Sequence, residues 1–226
     1  MTLATIPAAD FAYIARFAST DHVRPYLMGV CIEPGANVRL IATNGHIMGA
    51  LRLDADQGAA AGGAPFILAT NKDLLRACKA IKGRARTIVC SPDRVEVFEE
   101  YDATAPGTPV YTGHKPYVDG RFPDWRRVMP PGISGTRTYT RGDGTIAPPV
   151  GVNPELLARF AISDKNAGIA FSWNHSGPLL VATSDTRFIG VCMPMNGSTT
   201  DADILARSAH VLGEDAPAQQ LPQAAE

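Results

Sequence analysis

The sequence predicts an α+β fold in which a short helix followed by antiparallel strands occurs three times, at intervals of about 65 residues. Apolar residues recur at helical spacing near residues 8–23, 72–82 and 154–161. Runs of β-branched and apolar residues of strand length follow each of these segments. Leu-Ile-Ala-Thr-Asn at 40–44 returns as Leu-Val-Ala-Thr-Ser at 180–184, which indicates a repeat.

The first unit begins with the helix over 8–23, whose apolar face includes Phe11 and Ile14. Asn44-Gly45 is a strong hairpin signal and predicts a type I′ turn, in which both central residues need positive φ. Apolar runs flank this turn on both sides, and a third run precedes Pro34-Gly35. We therefore expect strands at 28–33, 38–43 and 46–51.

The second unit starts with a strand at 66–69 and a helix at 72–82, which Thr70 or Asn71 caps and Gly83 ends. Strands follow at 87–90 and 94–98. The third unit begins near Val150, where Asn153-Pro154 caps a helix, and continues with strands at 168–173, 179–183 and 187–193. Polar, Gly-rich connections at 54–63 and 131–149 separate the units.

Composition and charge limit the class of protein. The chain has 226 residues, 45% of them hydrophobic, so it can bury a sizeable core. It shows neither a secretory leader nor an apolar run long enough for a membrane span, so we expect a cytoplasmic protein without membrane contact. The net charge is −1, but residues 198–226 carry −4 and the rest +3, so any contact with DNA must be a local basic stripe.

The spacing of cysteine and histidine predicts no metal site and no disulfide framework. The four cysteines lie far apart in apolar runs, which is typical of buried, reduced thiols. The five histidines also lack the spacing of metal ligands.

Three motifs resemble those of one family, in the same order along the chain. They are Arg24-Pro-Tyr-Leu-Met-Gly-Val30 with the hairpin Ile41-Ala-Thr-Asn-Gly-His-Ile-Met48, then Asp119-Gly-Arg-Phe-Pro-Asp-Trp-Arg-Arg-Val-Met-Pro130, then Val191-Cys-Met-Pro-Met195. The chain resembles the bacterial DNA polymerase III β subunit, the sliding clamp. The resemblance implies the DNA-clamp fold, in which two units form a domain with helices inside and sheets outside.

Compared with that family, the chain is shortened. Residues 1–130 correspond to a complete middle domain of two units, and 150–197 to half of the last domain, joined by a linker at 131–149. We expect an acidic, disordered tail at 198–226. Because a third unit alone leaves apolar surface uncovered, we expect it either to pack on the first domain or to pair with another copy, and we favour self-association.

The resemblance implies a pocket for short peptides of DNA polymerase or clamp-loader partners. Ile47 and Met48 replace the family's usual Arg and Leu, which makes the pocket more apolar. Methionine-rich apolar surfaces suit such peptides, although His46 and the two methionines also fit an ordinary structural role. Carried over one by one, the pocket residues are Leu27, Thr43, Gly45, His46, Ile47, Met48, Pro130, Val191, Met193, Pro194 and Met195.

A basic stripe on the second helix predicts sequence-neutral contact with duplex DNA, if the resemblance holds for the orientation of that helix. The alternative is a solvated helix face. The DNA-contact candidates are Arg16, Arg24, Lys72, Arg76, Lys79 and Lys82.

Catalysis has little support in the sequence. Asp119, Asp124 and Asp185 are candidate carboxylates, but they stand in turn-like contexts without a paired base, a nucleophile or a phosphate-binding glycine loop. We therefore expect no catalytic residue, no cofactor and no metal. The predicted function is a sliding-clamp-like protein of DNA replication or repair; the alternative is a peptide-binding module that competes with a full-length clamp and never encircles DNA.

Overall fold

A computed structural model describes residues 2–54, 58–60, 63–79, 84–129, 151–161, 168–172 and 177–195. Pro130 and Lys82 lie outside the described residues, as do the linker at 131–149 and the tail at 198–226. In the described part of the chain, no helix is long and apolar enough to cross a membrane.

The described residues form three short helices and thirteen strands. The helices are α1 (Ala8–Ala15), α2 (Lys72–Ala77) and α3 (Pro154–Leu157), with single 3₁₀ turns at Pro25–Leu27, Trp125–Val128 and Ala158–Phe160. The strands are β1 (Ala4–Pro7), β2 (Gly29–Glu33), β3 (Arg39–Thr43), β4 (Ile47–Arg52), β5 (Ala59–Ala60), β6 (Phe66–Ala69), β7 (Arg86–Ser91), β8 (Arg94–Glu99), β9 (Tyr111–His114), β10 (Tyr117–Val118), β11 (Ala170–Ser172), β12 (Leu179–Ala182) and β13 (Phe188–Cys192).

The predicted helix at 8–23 is too long. After Ala15 the backbone N–H groups of Phe17 and Ala18 donate to carbonyls three residues back, and Ser19 N–H then donates to the Leu27 carbonyl at 2.8 Å. The tighter turn directs the chain toward β2. The prediction also missed β1, which is four residues long and ends in proline.

All strand pairs are antiparallel, and they form two sheets. Sheet A has the order β5-β1-β7-β8-β9, and sheet B has the order β10-β6-β2-β3-β4-β13-β12-β11. The first strands are exchanged between units. β1 precedes α1 but pairs with β7 of the second unit, whereas β6 precedes α2 but pairs with β2 of the first. The predicted α+β class is confirmed.

Helix α1 packs across both sheets, touching β1 and β7 of sheet A and β2, β3 and β4 of sheet B. Its buried positions Ala8, Phe11, Ile14 and Ala15 follow the helical period. They join one core with the inward side chains of both sheets. The core therefore lies between the sheets, where apolar side chains at every second strand position meet the helix.

Strands β4 and β13 pair with each other, so sheet B continues from the first unit into the third. We call this β4–β13 pairing the seam. At their centre Gly49 pairs with Gly190. A β-carbon on Gly49 would lie 2.5 Å from the Phe17 ring, and one on Gly190 would lie closer still to the Phe160 ring. The two rings are in contact with each other, tilted by 60° at a centroid distance of 4.9 Å. Two glycines thus make room for two aromatic side chains, one from each side of the seam.

Polar contacts reinforce this seam. Arg187 donates to both Asp10 oxygens at 3.1 and 3.2 Å and to Asp185 at 2.8 Å. Arg16 donates to the carbonyls of Ala158 and Ala161, which satisfies the end of the short helix in the third unit. Of the two arrangements that we expected for the third unit, the structure realises packing on the first domain. Arg16, a predicted DNA contact, takes part in that packing; its contact with DNA stays a prediction.

Candidate functional site

The hairpin between β3 and β4 forms the first wall of a surface cavity. The Asn44 carboxamide oxygen accepts from the N–H groups of His46 and Ile47, each at 2.9 Å, and the Thr43 hydroxyl accepts from Gly45 N–H at 3.0 Å. Gly45 has φ +93°, but Asn44 does not have positive φ. The predicted type I′ turn is therefore wrong. A longer loop whose amides are capped by Asn44 and Thr43 replaces it, because these short polar side chains can bond the backbone ahead of them.

The 3₁₀ turn at Pro25–Leu27 forms the second wall. Leu27 is buried, and Tyr26 stands beside it, half exposed. Arg24 precedes the turn, lies against Gly45 and forms an ion pair with Asp21 at 3.2 Å. Arg24, a predicted DNA contact, therefore lies in this wall of the cavity.

The third wall is the Phe122–Met129 stretch, anchored to the outer face of sheet B. Trp125 Nε1–H donates to Glu33 at 3.2 Å, and Arg126 donates to the same carboxylate while its guanidinium lies 4.4 Å from the Trp125 ring centre. Burial acts to raise the pKa of Glu33, but the hydrogen bonds from Arg126 and Trp125 outweigh it and hold that pKa below its ordinary value. An ionised Glu33 therefore fixes the position of Trp125.

Strand β13 closes the cavity. Val191 is buried and pairs with Met48 across the seam, and Met193 N–H donates to the His46 carbonyl at 2.8 Å. The Met193 side chain is 41% exposed, which is unusual for methionine and leaves it available to a ligand. The seam between the first and third units thus also builds this wall.

Together these walls enclose a cavity of about 260 Å³. Eight of the eleven expected pocket residues line it, whereas Pro194 and Met195 do not, and Pro130 lies outside the described residues. Sequence reasoning missed six members. Four of them were assigned to no site, Asp124 was considered only as a candidate catalytic carboxylate, and Arg24 was assigned to DNA. The lining residues are Arg24, Tyr26, Leu27, Thr43, Gly45, His46, Ile47, Met48, Pro123, Asp124, Trp125, Val128, Val191 and Met193.

One signal could have found four of the missed residues. The motif at 119–130 was recognised, but only its last proline was assigned to the pocket. The structure places Pro123, Asp124, Trp125 and Val128 of this motif at the cavity. The 3₁₀ turn in the middle of the motif presents these side chains to the cavity.

The cavity has an apolar floor and a polar rim. Met48 and Val191 belong to a small buried cluster on the outer face of sheet B. Arg24 and His46 contribute donor groups at the rim, and Asp124 contributes an acceptor. Such a site can hold one or two apolar side chains of an extended chain while the rim bonds its backbone.

The remaining candidates are dispersed. Lys72, Arg76 and Lys79 lie on or just after α2 and are exposed; Arg76 pairs with Asp73 at 3.6 Å. Asp185 is engaged by Arg187, whose hydrogen bond holds its pKa low. No cluster of metal-binding side chains occurs among the described residues. All four cysteines are buried and unpaired.

A second cavity of about 490 Å³ lies on the other side of Trp125, lined by Cys31, Glu33, Ala64, Pro65, Ile67 and residues 119–126. Burial raises the pKa of the Cys31 thiol to about 12, so this thiol stays protonated and unreactive at neutral pH.

Fold and sequence comparisons agree on one class, the DNA sliding clamps. The chain is 31% identical over 121 residues to the beta sliding clamp of Caulobacter vibrioides, which covers 51% of this chain and 30% of that protein. A ligand-bound sliding clamp from Pseudomonas aeruginosa matches 86% of this chain and 66% of its own, with a TM-score of 0.55 and 20% identity. The β subunit of DNA polymerase III from Borrelia burgdorferi, in complex with a natural product, matches 86% and 62%, with a TM-score of 0.58 and 15% identity.

Within that class, the similarity is to the bacterial β clamp, as the three motifs indicated, and this resemblance is confirmed. The chain spans less than a third of the length of that curated relative and about two thirds of the solved clamps. No family model matches it.

Proposed function

We propose that this chain is a non-catalytic, clamp-like protein of DNA replication or repair that binds short peptides of polymerase or clamp-loader partners. The supporting observation is that residues from the 3₁₀ turn, the hairpin, the 119–130 motif and β13 converge on one apolar cavity. Both solved relatives described above carry a ligand. We also propose the domain division given above: 1–130 as a clamp-type domain, 150–197 as a half domain, and 198–226 as a tail.

The cavity suits an extended peptide with apolar side chains. Leu27, Met48 and Val191 provide a buried apolar floor, and Met193 adapts its shape to side chains of different size. Arg24 at the rim favours a peptide that carries a carboxylate near its apolar anchor. Affinity should come from the apolar anchors, and the rim should set the direction of the chain.

A fluorescent peptide of the Gln-Leu-x-Leu-Phe type tests this function by anisotropy. Met193→Asp should weaken binding by about tenfold or more, because it places an unpaired charge against an apolar anchor. Val110→Asp is the matched control, since Val110 is 46% exposed and far from the cavity in sequence. Absence of binding by the wild-type chain at roughly 100 μM protein would remove the proposal.

We propose in addition that α2 contacts duplex DNA weakly through phosphates. Lys72 and Lys79 carry this proposal, because both are exposed, and neither has an ion-pair partner in the described part of the chain. Changing both to Gln should reduce the slope of log affinity against log salt by about 2, since each phosphate contact contributes about 0.9. Lys115→Gln is the control, and an unchanged slope in the double variant would leave α2 a solvated helix.

The second candidate is a peptide-binding module that competes with a full-length clamp without encircling DNA. It is supported by a cavity whose lining residues all come from one chain, so a peptide can bind without a closed ring. Binding to closed circular DNA separates the two functions. A chain that encircles DNA is released when the circle is cut, whereas a module held only by phosphate contacts is released by salt alone.

A further inference from the structure

The third unit repeats the first with the same strand register. In the first unit Ala42 pairs with Gly49 and Leu40 with Leu51. In the third unit Val181 pairs with Gly190 and Leu179 with Cys192. The strands β2-β3-β4 and β11-β12-β13 are therefore related by an approximate two-fold axis at the paired glycines of the seam.

This internal symmetry identifies an open position in sheet B. Beyond β2 the sheet continues with β6 and then β10, whereas beyond β11 no strand follows among the described residues. Phe171 on β11 lies opposite Val181, and the register of β2 with β3 sets Val30 opposite Ala42 in the same way. The difference appears in burial, because Val30 is 0% exposed and its counterpart Phe171 is 45% exposed. Strand β11 is Ala-Phe-Ser, without the charge or proline that protects a free edge.

The first domain shows what kind of strand fills such a position. The place beside β2 is taken by β6, the first strand of a different unit. A unit cannot fill this place itself, because its own first strand enters the other sheet, as β1 does beside β7. By analogy with β6, we expect the strand beside β11 to be the first strand of another unit.

Among the described residues, only one of the first strands lacks a paired neighbour on one of its two edges. Strand β1 lies between β5 and β7, and β6 lies between β2 and β10. In the described residues, the segment that leads into α3 has one backbone pairing, the bridge between Gly151 and Met195, while Val152 packs on the core. This bridge corresponds to the pairing of β1 with β5, so the side that β7 covers in the first domain remains open.

We propose that two copies of this chain form an isologous dimer in which each third unit donates residues 151–153 to the free edge of β11 in its partner. Within one chain, β1 and β6 each pair with a strand of the other unit; in the dimer the same exchange takes place between two chains. It covers Phe171 and the half-exposed Leu156 and Leu157 of α3, and it turns two half domains into one complete domain. This assembly does not depend on peptide binding.

Sedimentation equilibrium of the full chain tests the dimer. We expect a species of twice the 24.0 kDa chain mass at tens of micromolar. Phe171→Lys should raise the dissociation constant by about tenfold or more, since it places a charge at the edge. Val110→Lys is the control, because Val110 is equally exposed and precedes β9 at an edge of sheet A. A wild-type monomer at roughly 100 μM, or an equal effect of both variants, would overturn the proposal.

Hydrogen exchange locates the contact independently of any variant. Protection of the amides in 170–172 should rise with protein concentration together with the dimer fraction. Protection that does not change with concentration would show that a segment of the same chain covers β11, and would overturn the exchange between copies. Unchanged peptide affinity of Phe171→Lys separates this result from the peptide-binding test.

Discussion

The seam between β4 and β13 makes a quantitative prediction about Gly190. The φ angle of Gly190 is not in the left-handed region, so the backbone accepts alanine there. Considered alone, the lower conformational entropy of the unfolded chain would make Gly190→Ala stabilising by about 0.4–1 kcal/mol. In the native protein, however, the added methyl would overlap the Phe160 ring, which is fully buried and cannot swing into solvent. Overpacking of this kind costs about 1–3 kcal/mol, so Gly190→Ala should be destabilising.

Gly190→Ala should no longer destabilise the protein once the Phe160 ring is removed. Phe160→Ala alone should cost about 3–5 kcal/mol, because it removes a buried ring that packs on Phe17 and Phe188. In that background the methyl of Gly190→Ala enters the vacated space and should be neutral or stabilising. The expected coupling energy is about 1–3 kcal/mol.

Urea unfolding of the two single variants and the double variant, followed by circular dichroism, measures this cycle. A Gly190→Ala effect that is equal in both backgrounds would refute the argument that the glycine is needed to admit the ring. Gly49→Ala with Phe17→Ala provides the mirror cycle on the other side of the seam.

Three further predictions concern single polar side chains. Glu33→Gln should remove stability that the native protein has above pH 4.5 and that is lost as the pH falls through the lowered pKa of Glu33; the difference in unfolding free energy from wild type should therefore shrink in acid. Asn44→Ala leaves two loop amides without their acceptor and should cost about 1 kcal/mol in denaturant unfolding and also weaken peptide binding; unchanged affinity would show that the loop does not shape the cavity. Arg187→Met removes charged hydrogen bonds across the seam and should cost about 1.5–3 kcal/mol, detected as a lower urea midpoint, whereas an unchanged midpoint would make this network dispensable.

Local elements could be predicted because their signals lie within a few residues of one another. The hairpin at Asn44-Gly45 and the helix cap at Asn71 depend on side chains that bond backbone groups nearby, and Asn71 indeed accepts from Leu74 N–H at 2.8 Å. Even there the turn type failed, because Asn44 uses its side chain rather than a positive φ.

The arrangement of the site could not be derived in the same way. The cavity needs Met193 beside His46, and this contact follows from the pairing of β13 with β4 across a long stretch of chain. No local pattern in the sequence encodes that pairing. The position of Arg24 could not be predicted either. Its charge suggested a contact with DNA, whereas the 3₁₀ turn that follows it places it beside Gly45.

The exchange of β1 and β6 between units has a consequence for how the chain folds. Strand β1 is paired on both sides in sheet A, yet its neighbour β7 lies roughly 80 residues later, and such long-range pairing slows folding. During synthesis at about 5–20 residues per second, Ala4–Pro7 therefore waits several seconds for its partner strand. Over that time β1 lacks its β7 neighbour, so the first domain closes only after its second unit has emerged.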